Sequence, residues 1–519
     1  MYMKYLSQKS FFFTLLLIVA ISFILRLIGI SQKQTYSYDE SNSFLSVTVN
    51  NVTYIQAFKK ESPVFNHIVS VKEWFPYLYQ IHYPFNLIKL KNENCDNISP
   101  LFYWILHIVF VVFGVNIYNG LYLNLFFYLV LLYFFYKLCV LVFDQFSTSI
   151  LYSFILLGFS YAALQINFEA RQHLLFALIT IIFFYYNIRW LLKNEPLGWK
   201  QLIFNLVIIT LGNLCLITFT FVAFGVGLIY WIHFKFSIRN IAVIKYSIVL
   251  LISIILSESI YPFIIKTFIS KLTSPTTSSS PPYLIKLKVF TYAFCQYSSY
   301  NPIIIYSFLS FLILLFFLYL LKYIKSNWSI HTVLFYVYFF TFYSIAFMFL
   351  LYFFDKIPGN AVGEQYYMFI WPFWTITLVS AINYVFKNIK HIILISLSVI
   401  FIWSAFVYYK KSWYLQFFVR DKQTFYRYIN KSDLIISYET HPSLIGRLVT
   451  HILPPDKKIL ITNYPLSNIL DTTHYEKIFI FPTEKMKIPT HPKYQEQHFF
   501  IESDYEKCYS EFYYLQKIN

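Results

Sequence analysis

The sequence predicts an all-α polytopic membrane protein of about eleven transmembrane helices plus juxtamembrane helices, with a small C-terminal α/β extracytoplasmic domain. Three observations predict it. Hydrophobic residues make up 58% of the 519 and charged residues only 13%, with a mean hydropathy of +0.56, too little charge to cover so long a chain with a water-facing surface. Apolar runs of roughly 20 residues, the length a bilayer requires, recur as far as about Lys410. Beyond it the pattern turns to short strand-like runs.

The spans follow in order. Runs at 11–30, 119–141, 149–166, 172–192, 243–263, 303–322, 330–353, 366–386 and 391–409 qualify or nearly do. The stretch 201–233 is too long for one span and reads as two short helices parted at Gly212-Asn213. Lys4 and Lys9 precede the first run, but it has no small-residue cleavage site and Arg26 interrupts its far end, so it reads as an uncleaved helix with the N-terminus inside. Arg26 itself is expected to snorkel to the outer headgroups, with a phosphate contact as the alternative.

The short run 101–115, opened by Ser99-Pro100, decides the parity. If it does not cross, the inside loops hold Lys137; Arg189, Lys193 and Lys200; Lys235, Arg239 and Lys245; Lys322 and Lys325; Lys387 and Lys390. If it crosses, all of these flip outward. The positive-inside tendency therefore lays it along the outer interface. The expected domains are a membrane-embedded part at 1–410, whose first extracytoplasmic loop is 31–118, and an extracytoplasmic domain at 411–519. In the latter, strand-like runs at Asp433–Tyr438, Lys458–Thr462, Lys477–Phe481 and Phe499–Glu502 alternate with a helical pattern at Ser443–Leu453.

The charge is informative mainly by its place. Of the net +17, all but +2 sits before Lys411, where 27 basic residues face 12 acidic ones, against 14 and 12 afterwards. Basic loops that orient helices explain it without nucleic acid as a partner. Eleven glycines, with no G-x-G-x-x-G, no G-x-x-x-x-G-K-[ST] and no H-E-x-x-H, argue against a nucleotide cofactor and against that zinc-protease helix. None of the five cysteines is spaced as C-x-x-C, which disfavours a disulfide framework or a cysteine metal site. The 23% aromatic content reads as belts and packing.

Of the twelve acids before Lys411, all but Asp144 and Glu195 fall outside or near an outer helix end. Singly, each reads as a solvated interfacial charge. Together, beneath long loops on one face, they outline a site. Asp39-Glu40 follows the first span, and Glu258 lies near the outer end of its own. Glu169 opens an outer turn in Asn167-Phe-Glu-Ala-Arg-Gln-His173, where helical spacing would point Glu169 and His173 the same way.

Arg26-Leu-Ile-Gly, Asp39-Glu40, Ser99-Pro-Leu-Phe-Tyr-Trp-Ile-Leu-His107 running to Phe113-Gly114, and Phe168-Glu-Ala-Arg-Gln-His173 resemble the bacterial dolichyl-phosphate-mannose-protein mannosyltransferase-like group. These are GT-C membrane glycosyltransferases of family 39, related to the aminoarabinose transferase acting on lipid A. The resemblance covers about residues 10–235. It implies transfer of a hexosyl or pentosyl group, with inversion, from a polyprenyl-phosphate-sugar donor to a hydroxyl of an envelope lipid, glycan or protein. It implies an inner-membrane location with the site outside.

In that scheme Asp39 is the base that takes the hydroxyl proton, and Arg171 offers a planar donor to the departing phosphate. Glu40, Glu169 and His173 either hold a divalent metal or bind sugar hydroxyls. Segments around Lys72–Leu90 and Leu101–Gly114 roof the site. The family's Pro-Pro is here Ser99-Pro100. Its Arg-Tyr pair before a late proline is here Gln365-Tyr366, ahead of Trp371-Pro372, which keeps Tyr366 and shifts the phosphate contact toward Lys356.

Rival readings are a transporter or flippase of lipid-linked glycans, a surface-polysaccharide polymerase, and a membrane anchor for the C-terminal domain. The chain shows no internal repeat, and its acids lie at outer ends rather than midplane. Its longest loop comes first, not late, and an anchor needs only one span.

Overall fold

The computed structural model describes residues 7–33, 40, 43–44, 47, 67–70, 72–73, 100–193, 197–237, 239–262, 283–295, 297–298, 302–325, 332–353, 367–411, 422–438, 453–462, 466–481, 492–501 and 510–518. A helix occupies each of the eleven predicted runs: α1 (Gln8–Gln32), α3 (Ile117–Val142), the bent pair α4 (Thr148–Gly158) and α5 (Tyr161–Asn167), α6 (His173–Leu192), α7 (Trp199–Cys215), α8 (Phe219–His233), α9 (Ile241–Ile260), α11 (Pro302–Lys325), α12 (Thr332–Phe353), α13 (Trp371–Val385) and α14 (Lys390–Lys411). The short run is α2 (Pro100–Phe113). A further helix, α10 (Tyr283–Cys295), lies between α9 and α11.

Among the described residues, six helices are long and apolar enough to cross a membrane, or seven if the α4–α5 pair is one span. Helices α2, α7, α8 and the apolar stretch Ile303–Tyr319 of α11 are shorter. Large apolar side chains point outward along these helices: Phe13 is 70% exposed, Ile255 66% and Trp199 81%. That surface suits lipid rather than water, and the chain is a multi-pass membrane protein.

Local chemistry sets the helix breaks. Ser160 restarts the chain after Phe159 by accepting from the Ala163 amide at 3.2 Å, and the two halves meet at 56°. The interruption expected at Gly212-Asn213 falls instead at Leu216–Thr218, where Leu216 turns extended. Gly212 stays within α7 and allows a close approach: a Cβ there would lie 2.3 Å from the Phe219 ring. In α10 the buried positions Lys286, Phe290 and Phe294 recur every four residues. Lys286 Nζ donates to the Phe353 carbonyl at the end of α12, 3.0 Å away.

The chain divides into two compact units. One holds Met1–Ser31, Asn97–Phe102 and Gly120–Lys411; the other holds Gln32–Asp96, Tyr103–Asn119 and Ser412–Asn519. The second carries a six-stranded sheet built from β1 (Ile68–Ser70), β2 (Leu434–Tyr438), β3 (Lys458–Thr462), β4 (Lys477–Phe481), β5 (Tyr494–Ile501) and β6 (Ser510–Lys517), in the order β1-β3-β2-β4-β6-β5. Strands β3, β2 and β4 are parallel, while β1 on β3 and the β6–β5 ribbon on β4 are antiparallel.

Strand alternation buries both faces. Leu434, Ile436, Leu460, Ile478 and Ile480 meet Leu466, Ile469 and Leu470 of α16 (Leu466–Thr472). Ile435, Ile459, Ile461, Phe479 and Tyr514 are buried as well. On that side the Tyr428 ring of α15 (Lys422–Lys431) lies 4.7 Å from Tyr514. The helical pattern at Ser443–Leu453 lies outside the described residues, save Leu453.

Strand β1 comes from the first loop and its partner β3 from the tail. A hydrogen-bonded sheet cannot straddle a bilayer, so Ser70 and Lys458 share a side and an even number of crossings separates them.

Candidate active site

In the second unit the described site residue is Glu40; Asp39 lies outside the described residues. Glu40 is fully buried, and Lys33, just past the end of α1, donates to both carboxylate oxygens at 2.7 Å. Such a pair offsets the cost of burying either charge, and it leaves Glu40 poorly suited to bind a metal.

Glu40, Ser43, Phe44 and Val47 are helical, share one face at three- and four-residue spacing, and are buried. That face meets α2. The Ser43 and Tyr103 hydroxyls lie 3.4 Å apart, and the Phe44 and Phe110 rings stack at 5.3 Å. His107 Nδ1 donates to the Val47 carbonyl at 3.1 Å, the tautomer that a carbonyl partner demands. Burial holds the His107 pKa below its ordinary value, against the Val47 bond, which raises it. Short run 101–115 thus supplies the surface on which the residues after Asp39 rest.

In the first unit the chain from Phe168 to Gln172 forms the turn between α5 and α6. Glu169 is therefore not on a helix with His173, as the spacing suggested: it lies in the turn, and His173 is the first residue of α6. The physical cause is that the helix ends at Asn167, where the Phe168 amide bonds Gln165 in a tighter turn. Glu169 and His173 are both buried, and Arg171 is half-buried.

Three helices hold this turn. Asn124 of α3 donates to the Glu169 carbonyl at 2.5 Å, Cys215 of α7 reaches the Gln172 carbonyl at 3.6 Å, and Tyr408 of α14 stacks on Phe168 at 5.8 Å. The flanking amides were missed by sequence reasoning. Asn124, Gln165 and Asn167 are buried, and their side-chain oxygens accept no hydrogen bond among the described residues. Amides this deep in apolar helices were the available signal, because a buried polar group is costly unless it has a task.

Arg26 does not snorkel. It is fully buried, its Nη1 donating to the Ser22 carbonyl (3.0 Å), Ser22 Oγ (2.6 Å) and the Gly158 carbonyl (2.9 Å), and its guanidinium lies 3.7 Å over the Tyr128 ring. The end of α4 offers it a carbonyl and the negative end of a helix dipole. Arg26 thereby pins the α4–α5 bend that leads to the Glu169 turn.

Lys356 and Tyr366 lie outside the described residues, as does all of the Lys72–Leu90 stretch except Lys72 and Glu73. Among the described residues no group of three or more His, Cys, Asp or Glu side chains is placed to hold a metal ion.

No protein-family profile matches the chain, and no curated protein does. Among solved structures, the crystal structure of ArnT from Cupriavidus metallidurans in the apo state aligns over 96% of this chain and 97% of that one, at 9% identity and a TM-score of 0.34. The fold class accordingly rests on the helices and sheet described above.

Proposed function

We propose that this chain is a GT-C-type membrane glycosyltransferase that moves a sugar from a polyprenyl-phosphate donor to an acceptor hydroxyl on the extracytoplasmic face. The observation that carries the reading is the turn Phe168–Gln172: a buried carboxylate and a half-buried arginine two residues apart, in a turn clamped from three helices. Charge retained at such a place marks a site rather than a packing need. Here Arg171 meets the donor phosphate, while Glu169 and His173 bind sugar hydroxyls.

Asp39 acts as general base. The acceptor oxygen attacks the anomeric carbon, its proton passes to the Asp39 carboxylate, and the bond from that carbon to the phosphate oxygen breaks with its electrons. Configuration inverts in this single displacement. Lys356 and Tyr366 would extend the phosphate contact. Both Glu40 oxygens are held by Lys33, so Glu40 serves in the Lys33 ion pair rather than as a metal ligand.

The orientation is N-terminus cytoplasmic and tail outside, in the inner membrane. The basic loops carry the sidedness, and the β1–β3 pairing supports the loop and the tail sharing it, since the ten helical segments from α3 to α14, with α2 and α10 at the interface, give an even count.

The test is transfer from a polyprenyl-phosphate sugar in membranes. Asp39→Asn is expected to lower kcat by about 10²–10⁴-fold with unchanged expression. Wild-type rates in that variant would remove Asp39 as base and favour a carrier of lipid-linked glycans.

A further inference from the structure

The C-terminal domain reads at first as an accessory module, yet its sheet is incomplete without the first loop. Ile68, Val69 and Ser70 pair with Leu460, Ile459 and Lys458 at the edge of the parallel core. Immediately after the strand, the Lys72 amide donates to the Pro455 carbonyl at 2.9 Å, just ahead of β3. The loop then locks itself. The Ser70 amide donates to Glu73 Oε2 at 3.0 Å and the Glu73 amide to Ser70 Oγ at 3.3 Å, with Lys72 and Glu73 already helical. This reciprocal pair is a capping box, so the strand runs directly into a helix start whose angle is set by two bonds.

Three segments of the same compact unit are thereby tied. The residues after Asp39 rest on α2 through Ser43–Tyr103, Phe44–Phe110 and Val47–His107. The middle of the loop is stitched to the tail through β1–β3. Gln32–Asp96, Tyr103–Asn119 and Ser412–Asn519 belong to one unit.

We infer that the C-terminal sheet is a positioning element for the first loop: through the β1–β3 pairing it holds the loop that carries Asp39 in its working conformation. The positioning role rests on the transfer reading above, whereas the pairing does not. A loop between two membrane helices is costly to order, and each tie to a folded sheet restricts it beforehand. Val69 faces Ile459 across the ladder, so a proline at 69 removes a donor and imposes a φ that an antiparallel strand does not adopt.

The experiment uses the full-length protein in membranes, with Cys95 and Cys508 replaced by Ala. Ser70→Cys with Lys458→Cys, directly opposite in the ladder, should form a disulfide on mild oxidation. Ser70→Cys with Glu496→Cys, on the far edge strand β5, should not. Crosslinking of the second pair in place of the first would overturn the pairing whatever the enzyme does.

Val69→Pro should lower kcat by about 10- to 100-fold with little change in donor KM, and expose residues 34–99 to trypsin. Adding the 70–458 disulfide to that variant should restore both. A Val69→Pro protein with wild-type kcat and an uncut loop would overturn the positioning role. If the wild type transfers no sugar while the disulfide forms and trypsin discriminates the variants, the transfer reading fails and the clamp on the loop stands.

Discussion

Lys33 grips Glu40 through both carboxylate oxygens, 2.7 Å to each, and neither side chain reaches solvent. Lys33 directly follows the first helix and Glu40 begins the buried face laid on α2, so one ion pair joins the exit of α1 to the loop. Removing one partner strands the other charge. Lys33→Met or Glu40→Leu alone should destabilise by about 3–5 kcal/mol, whereas the double variant, which buries no charge, should recover most of the loss. Thermal unfolding of purified protein in detergent reads this. Equal loss in single and double variants would rule the pair out as the cause.

The Arg26 contacts make a separate prediction. Arg26→Lys keeps the charge but loses the flat stacking on Tyr128 and the forked donors, and should lower stability by about 1–3 kcal/mol. Gly158→Ala should act on the same joint, since a Cβ there would sit 3.0 Å from Ser22 Oγ. Additive effects in the double variant, measured by the same unfolding assay, would show the two do not share a site.

Gly212 and Phe219 predict a size-dependent rescue. A methyl at 212 would press into the Phe219 ring, which is fully buried between Phe176 and Phe183. Gly212→Ala should cost about 1–3 kcal/mol, and Phe219→Leu in that background should give part of it back. No improvement on shrinking residue 219 would refute the close approach.

His107 predicts a pH dependence. Its folded pKa lies below the ordinary value, so on acidification the unfolded chain binds its proton first. Stability from this group is present above about pH 6.5 and falls as pH drops through the window beneath it. His107→Gln, whose amide can still donate to Val47, should flatten that slope. An unchanged slope between wild type and His107→Gln would remove His107 as its source.

The β1–β3 pairing predicts that reporters placed in the first loop and after Asn519 give the same sidedness, and an interfacial α2 predicts the opposite sidedness for a reporter after Val142. A reporter active only outside the cytoplasm distinguishes the arrangements. Unlike signals from the first two positions would contradict the shared sheet.

Much of this architecture was legible because lipid makes its demand locally. Helices α3, α6 and α12 fall within a few residues of their apolar runs, and β3 and β4 coincide with theirs. What escaped is specified from a distance. Strand β1 has three residues and no pattern of its own; it exists because β3 presents an edge. The polar start of β5, Gln495-Glu-Gln-His498, has no apolar alternation and is a strand by virtue of β6 beside it. At the candidate site, the carboxylate and guanidinium of the 168–172 turn were visible as residue types. Their fixation by Asn124, Cys215 and Tyr408 was not, because those partners come from helices remote in sequence.

The sheet that joins the loop after the first helix to strands after the last also sets an order of assembly. While the chain is being made, the loop emerges early and finds its partner strand only when nearly everything else has been inserted. A ribosome that stops before Lys458–Thr462 leaves that loop unstitched, so the loop can close only once β3 has been made.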